Sequence, residues 1–486
     1  MKEAVVLYTA PADGHLAPMV SLAKLFQKHN FWATVVTYDN PHRPGKVEQD
    51  ISCLSSANPS ISFHVLPQIT TGEDYANLRP PAVMHAILQA QNINLHNFIM
   101  DLSKTSSIRA IMLDSLCTVG IDVARQLNIP AYFFTPSGAS ALAFFYNLLE
   151  LDASSSLSLK DYGNSPINFP GLPPVVASDC PIFLVDRRSD SYKSAMENFR
   201  DIVKSDGVLM NTFESLEPKA ISALREGLCG PSFNMPPIYS IGPLVTETKE
   251  EDMEERHECL KWLDSQPKGT VVFLCFGSMG SFPLDQIKQI AIGLENSGQR
   301  FLWVVKVNVN MDPRNIFNAS MPEFELDQIL PEGFLNRTKD RGMVLKTWAP
   351  QIQVLHHESV GGFVTHCGWN SILEAVTAGK PMVCWPLYAE QRLNKAVLVD
   401  HETRLGVTME GYDCEMVEAE EVETKIRWLM EGEGGKLLKE RIKVMKDKAG
   451  ESLTEAGTSS QAFVQFLMDL ELKKIREDQN LTKCFL

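Results

Sequence analysis

"WAPQIQVLHHESVGGFVTHCGWNSILEAVTAGKPMVCWPLYAEQ" runs from Trp348 to Gln391 and sets three tryptophans, three histidines and two cysteines on a simple local frame. "GGFVTH" reads as a buried strand, "CGW" as a tight connection, and "NSILEAVTAG" as a helix ending at Gly379, with Pro381 just beyond. A strand end feeding a helix start is the junction of a parallel sheet. Free backbone N–H groups and the helix dipole favour an anion there, such as phosphate. His366, Asn370 and Ser371 occupy that junction. Ser371 and Glu374 also fit an S-x-x-E capping box, a structural use open to any helix.

The remaining polar groups are spaced as a ligand would need them. Trp348 follows a strand and precedes Pro350, in a loop able to stack a planar base. Glu374, one turn into the helix, can accept hydrogen bonds from a ribose diol. Glu390 and Gln391 follow the strand "PMVCWPLY", where sugar hydroxyls can be held. Base, ribose, diphosphate and sugar in that order describe a nucleotide sugar.

Outward from this stretch, short apolar runs alternate with helical patterns, the mark of parallel sheets covered by helices. "AVVLYTA", "WATVVTY", "ISFHVL", "RAIMLD" and "AYFFT" read as strands of a first series; Leu16, Met19, Val20, Ala23 and Phe26 mark one face of a helix over Leu16–Lys28. Residues 150–190 dissolve into Pro, Ser and Asp and predict a long surface loop. A second series begins at "TVVFLCFGSMGS" and continues through "RFLWVV", "MVLKTW", "GGFVTH", "PMVCWP" and "LGVTM". Residues 306–328 carry no clear period and predict a surface loop.

The expected fold class is α/β, with two doubly wound units facing each other across a cleft. Expected boundaries are a first domain over 1–245, an acidic linker over 246–256 ("TETKEEDMEER") and a second domain over 257–450. A helical segment and tail over 451–486 is expected to pack back on the first domain.

Bulk properties agree. A chain of 486 residues exceeds what one core usually serves. A net charge of −15 disfavours nucleic acid and anionic membranes as partners. No run reaches a membrane span, and neither a span nor a signal peptide is expected. The ten cysteines form no C-x-x-C pair. Scattered free thiols predict a reducing compartment, and the expected location is the cytoplasm. Nothing in the sequence asks for more than a monomer.

"PADGHLAP" follows the first strand, so His15 opens the first helix at the sheet edge that faces the cleft. A lone histidine is commonly structural, but Asp114, ending the apolar "RAIMLD", lies at the same edge, where a carboxylate is costly to bury. The two suit a general base and its orienter. A nicotinamide dehydrogenase would need G-x-G-x-x-G where this chain has "TAPADGHLAP". A non-catalytic sugar-nucleotide sensor would keep the donor stretch and lose the base, and both His15 and Asp114 are present. No D-x-D occurs, and neither His356–His357 nor His366–Cys367 has zinc spacing, so no metal is expected.

"WAPQ", "HESVGGFVTHCGWNS" and "LEAVTAGKPMVCWPLYAEQ" together resemble the signature box of plant family 1 UDP-dependent glycosyltransferases, and "GHLAPM", "VLMNTFESLE", "WLDSQP" and "VVFLCFGSMGSF" extend the resemblance over nearly the whole chain. It implies a GT-B fold with two Rossmann-like domains. Trp348 would stack on uracil, with the backbone of Ala349 reading its edge; Gln351 and Glu374 would hold the ribose. His366, Asn370 and Ser371, helped by Ser278, would contact the diphosphate, and Trp369, Glu390 and Gln391 the hexose. The terminal Gln391 points to UDP-glucose as co-substrate, with no other cofactor. The pair here is Glu-Gln where many members have Asp-Gln, and the longer acid keeps the acceptor function. His15 and Asp114 take the base and orienter roles, with inversion at the anomeric carbon. The leaving diphosphate is expected to meet a neutral-to-cationic His366 and helix-terminal amides.

The acceptor should bind the first domain. Met84, Phe144 and Tyr146 are candidate lining residues of an apolar pocket, although consecutive aromatics on a helix equally suit a core. The loop "LPPVVASDCPIFLVDRRSDSY" resembles a branch acting on flavonoids and related phenols. A terpenoid acceptor or another UDP-hexose is the alternative.

Overall fold

The computed structural model describes residues 2–39, 45–69, 80–246, 256–307, 324–346 and 348–484. Most of the expected acidic linker, and the centre of the 306–328 stretch, lie outside the described residues.

Two all-parallel sheets organise the chain. The first contains β1 (Lys2–Tyr8), β2 (Trp32–Tyr38), β3 (Ser62–Leu66), β4 (Ser106–Asp114), β5 (Ala131–Thr135), β6 (Val208–Met210) and β7 (Ile238–Ser240), in the order β3-β2-β1-β4-β5-β6-β7. The second contains β8 (Val271–Cys275), β9 (Arg300–Val305), β10 (Gly342–Lys346), β11 (Val360–Thr365), β12 (Met382–Cys384) and β13 (Gly406–Thr408), in the order β10-β9-β8-β11-β12-β13. Parallel strands covered on both faces must be apolar along their length. "VVFLC" and "VGGFVT" are accordingly buried at every position.

Each sheet reverses direction beside its first strand, between β1 and β4 and between β8 and β11. Loops diverge at such a switch point and leave a crevice at the strands' carboxyl ends. Tyr8 pairs with Leu113 and Cys275 with Thr365, so the loops carrying His15 and Asp114, and those carrying Ser278 and His366, leave their sheets side by side.

The two domains interpenetrate. Phe213 and Leu216, on the loop after β6, are buried in the second domain's core beside Trp369, while Leu393 of the second domain joins the first core. Lys395 pairs with Asp179 at 2.8 Å, both largely buried, and the Arg392 guanidinium donates to the Ser178 carbonyl at 2.8 Å.

The expected 150–190 surface loop is corrected. It is a string of short 3₁₀ turns and an isolated bridge between Ile167 and Val175, and its Phe169, Val175, Cys180 and Leu184 are buried in the first core. Proline blocked a periodic element, yet the apolar residues between the prolines still found a core to enter.

The helix Glu433–Ser452 packs Ile442 and Ala449 against Ile372, Leu373 and Val376 of the helix Trp369–Ala378. The chain then crosses to the first sheet, where the helix Thr458–Cys484 buries Phe463, Phe466 and Leu470 against Phe26, Tyr132 and Tyr239. Burying each such side chain contributes about 1.5–3 kcal/mol. The Tyr239 hydroxyl donates to Asp469 at 2.7 Å, and Arg109 bridges Glu3 and Glu471. Among the described residues, no helix is long and apolar enough to cross a membrane.

Candidate active site

The helix Asp13–Lys28 starts in the turn after β1, where the His15 N–H donates to the Ala12 carbonyl at 2.8 Å. Its apolar face, Leu16, Met19, Val20, Ala23 and Phe26, is buried as its period requires, which leaves His15 at the cleft edge with its side chain 24% exposed. Asp114, the last residue of β4, is fully buried and lies 2.8 Å from His15 Nδ1. Its second oxygen accepts the Thr9 hydroxyl at 3.0 Å and the Ala10 amide at 3.2 Å, while the Leu116 amide reaches the first at 3.1 Å.

Burial alone would push the Asp114 carboxyl up; the charge and hydrogen bond of His15, with the Leu116 and Ala10 amides, outweigh it and hold the group ionised below its usual range. Burial alone would likewise lower His15, but Asp114, with the charge of Glu390 behind it, raises it. An ionised carboxylate only accepts, so Nδ1 carries the proton and Nε2 keeps its lone pair for an incoming hydroxyl.

The opposite wall is electrostatically different. The helix Trp369–Ala378 has Gly368 at its N-cap and no side chain bonded there. Its first amides are therefore not capped from within. The capping-box reading fails, because Ser371 lies inside the helix. Its hydroxyl instead accepts the Gln351 amide at 2.8 Å, and the same amide reaches Glu374 at 2.7 Å. Burial pushes the Glu374 carboxyl up to about 7, against that hydrogen bond.

His366 is 6% exposed, and its Nδ1 has no hydrogen-bond partner among the described residues. Burial, reinforced by the charge of Lys306, pushes it down to about 3, the neutral end of the neutral-to-cationic range expected. Glycines let the backbone close round this ring. A Cβ at Gly277, whose φ is +75°, would come within 2.5 Å of Nε2, and one at Gly368 within 2.4 Å. Lys306 folds the Gly277–Ser278 loop by donating to both carbonyls, at 2.6 and 2.9 Å, and leaves Ser278 exposed. Cys367 and Ala389 adopt φ of 63° and 51°, left-handed backbone that non-glycine residues hold only where surroundings enforce it. They flank His366 and Glu390, and Asn394 secures the first by donating to the Cys367 carbonyl at 3.0 Å.

The two walls touch where the sequence placed its candidates. The Asn370 amide donates to the Gly14 carbonyl at 2.9 Å, one residue from His15, and Ser137 donates to Glu390 at 3.0 Å. Trp348 is 58% exposed and stands edge-to-face with His257, with ring centroids 5.6 Å apart, while Ala349 beside it is buried. Trp369 departs from expectation. Its indole is buried and its N–H donates to the Asn211 carbonyl at 2.7 Å, so the ring is a strut between domains. Gln391 is buried too, and its carbonyl oxygen accepts the Leu387 and Tyr388 amides at 2.9 and 3.0 Å, shaping the loop that carries Glu390.

Two acceptor candidates are corrected. Phe144 is fully buried against Phe145 and Phe169, and Tyr146 is equally buried in the first core. The helix Ala139–Ser154 is covered on nearly every side, so being aromatic there means core. Met84 is half-buried and accepts the Tyr38 hydroxyl at 2.7 Å on its sulfur. Sequence reasoning missed Thr9, Ser137, Asn211, Glu217 and Lys306. "VLMNTFESLE" held two of them, but nothing local says what Asn211 and Glu217 touch.

Among the described residues, no three His, Cys, Asp or Glu side chains converge as a metal ion requires.

The chain has clear relatives. A family model described as "UDP-glucoronosyl and UDP-glucosyl transferase" matches residues 183–446. A phloretin 2'-O-glucosyltransferase of Malus domestica is 42% identical over 484 residues, spanning 97% of this chain and 100% of the relative. An anthocyanidin 5,3-O-glucosyltransferase of a Rosa hybrid cultivar is 41% identical over 487 residues, spanning 97% and 99%. A Phytolacca americana structure complexed with UDP-2fluoro-glucose and pterostilbene superposes with a TM-score of 0.83 at 32% identity, covering 96% of this chain and 100% of that one. The two facing doubly wound domains are a GT-B fold, and the chain belongs to the UDP-glucoronosyl and UDP-glucosyl transferase family and is a UDP-glycosyltransferase.

Proposed function

We propose that this enzyme transfers glucose from UDP-glucose to a hydroxyl of a flavonoid or related phenol, with inversion and without a metal ion. The observation that carries the mechanism is the 2.8 Å His15–Asp114 pair, one residue from the point where Asn370 of the opposite helix meets Gly14. That contact sets the proposed base beside the proposed diphosphate site.

In the step, the acceptor hydroxyl gives its proton to His15 Nε2 while its oxygen bonds to the anomeric carbon. The bond from that carbon to the UDP oxygen breaks, and UDP leaves with the electron pair. Attack from the face opposite UDP turns an α-linked donor into a β-glucoside. Asp114 keeps the imidazole in the required tautomer and stabilises its charged form; a positioned base of this kind contributes about 10²–10⁴-fold. Trp348 would stack the uracil, Gln351 and Glu374 hold the ribose, and Glu390 hold the hexose. Neutral His366, with Ser278, Asn370, Ser371 and the uncapped helix amides, would receive the diphosphate as its charge grows.

The names of the relatives support the acceptor class: phloretin and anthocyanidin for two enzymes, pterostilbene in one complex. We further infer a cytoplasmic monomer with no tightly held cofactor. The nine cysteines whose side chains are described are all free, which suits a reducing compartment.

The test is the purified chain with UDP-glucose and a panel of flavonoids, chalcones, simple phenols and terpenoids, read by mass spectrometry and by NMR of the anomeric proton, with and without EDTA. A β-glucoside of a phenol, formed equally in EDTA, is expected. A terpenoid product, an α-linkage, or inhibition reversed by Mg²⁺ would each overturn one part. No product with any UDP-sugar would leave a binding protein.

A further inference from the structure

A buried carboxylate without a cation beside it is costly unless hydrogen bonds replace its water. Glu217 is 3% exposed, and among the described residues no basic side chain partners it. One oxygen accepts the Ser140 amide at 2.8 Å; the other accepts the Ala139 amide at 2.8 Å and the Thr212 hydroxyl at 2.6 Å. The amides open the helix Ala139–Ser154, whose N-cap, Gly138, offers no side chain. Helices are ordinarily capped by a local Ser, Thr, Asp or Asn. Here the cap arrives from 78 residues away.

Gly138 is where that detour leads. A Cβ there would lie 2.7 Å from each Glu217 oxygen and 2.7 Å from Cη2 of Trp369. Three parts of the molecule therefore converge on one glycine: the start of a first-domain helix, the Asn211–Glu217 loop, and the indole that opens the donor-side helix. Asn211 receives that indole on its carbonyl, and its side chain clamps the Leu244 backbone at 2.6 and 3.2 Å, where the chain leaves the first domain. The residue before Gly138 is Ser137, which donates to Glu390 across the cleft.

We propose that Glu217 is a positioning residue: by clamping the Ala139 and Ser140 amides it holds the Ser137–Gly138 turn where Ser137 can orient Glu390 toward the hexose. This rests on the hexose role proposed above for Glu390. A plain helix cap would affect stability alone. A positioning residue changes how the glucose unit is felt and leaves the UDP moiety, held on the other side of the second domain's junction, unaffected.

The experiment titrates UDP and UDP-glucose separately by calorimetry on the full chain and on Glu217→Gln, Ser137→Ala and their double variant. Glutamine keeps the shape but turns an NH₂ toward a backbone or hydroxyl donor. Losing a charge-assisted hydrogen bond predicts a UDP-glucose affinity lowered about tenfold with UDP affinity within about twofold. Adding Ser137→Ala to Glu217→Gln should then cost almost nothing more. Both ligands weakening together, neither changing, or additive losses would overturn the proposal.

Should Glu217→Gln fail to fold, Glu217→Asp keeps the charge but shortens the side chain by one methylene, drawing the carboxylate away from the Ala139 and Ser140 amides. It should lower UDP-glucose affinity alone, by about threefold, and an unchanged ratio of the two affinities refutes the idea. Glu390→Ala separates the two readings. If it leaves UDP-glucose affinity intact, the hexose role of Glu390 fails; if it weakens binding and Glu217→Gln does not, only the Glu217 inference fails.

Discussion

The two switch points of this molecule share one topology and carry opposite electrostatics. Beside β1 and β4, an imidazole and a carboxylate meet at 2.8 Å, each stabilising the other's charged form against burial. Beside β8 and β11, an imidazole stands in a glycine-lined recess where burial, and then the charge of Lys306, hold it neutral. Parallel-sheet topology decides that loops gather there. Burial lowers both histidines; the Asp114 carboxylate reverses that for His15, while for His366 the charge of Lys306 adds to it, so one suits the proposed base and the other an uncharged wall.

The sharpest way to break this contrast is at the base. His15→Ala should lower kcat by about 10²–10⁴-fold with UDP affinity within twofold; full activity would remove the proposed role. Asp114→Asn comes next, with kcat down at least tenfold, since the neutral amide can turn an N–H toward Nδ1 and stabilise the wrong tautomer. It should also move the acid limb of the pH–rate profile. Asp114 raises His15, so activity in the intact enzyme falls as pH drops through that raised value. Without Asp114 only burial and Glu390 remain, burial dominates, and the limb should shift to lower pH.

The same pair sets a stability window. The His15 contribution is complete below its unfolded value and lost as pH rises through the raised folded one. The Asp114 contribution is complete above its unfolded value and lost as pH falls through the depressed folded one. Thermal melts of Asp114→Asn across pH should lose both edges.

At the neutral wall, Gly277→Ala should weaken UDP-sugar binding about tenfold or more, because a Cβ at positive φ would displace His366. Unchanged donor affinity would mean the recess is slack. The smallest effect belongs to Glu374. With its carboxyl near 7, it loses acceptor capacity for a ribose diol as pH falls through that value, so the KM for UDP-glucose should rise by a few-fold between pH 8 and 6. Glu374→Gln should flatten that rise. A rise that persists in the variant would assign it to another group.

Much of the site was legible because its residues sit at local junctions. His15 follows one apolar strand and Asp114 ends another, and His366 through Glu374 cross from strand to helix within a few residues. Periodicity could not place Phe144 and Tyr146, because a helix buried on nearly all sides shows no face that distinguishes core from pocket. It also mistook a proline-rich segment for a surface loop, because the apolar residues between its prolines follow no regular repeat.

The sequence by itself determined the two series of parallel strands, the strand-to-helix junctions, and the residue types set there, since all of these follow from the order of neighbours along the chain. Only the tertiary structure decided that His366 stays neutral, that Trp369 is a strut, and that Glu217 caps a helix from another part of the fold. Burial and contacts between residues far apart in the chain set those roles, and neither is a property of any short stretch.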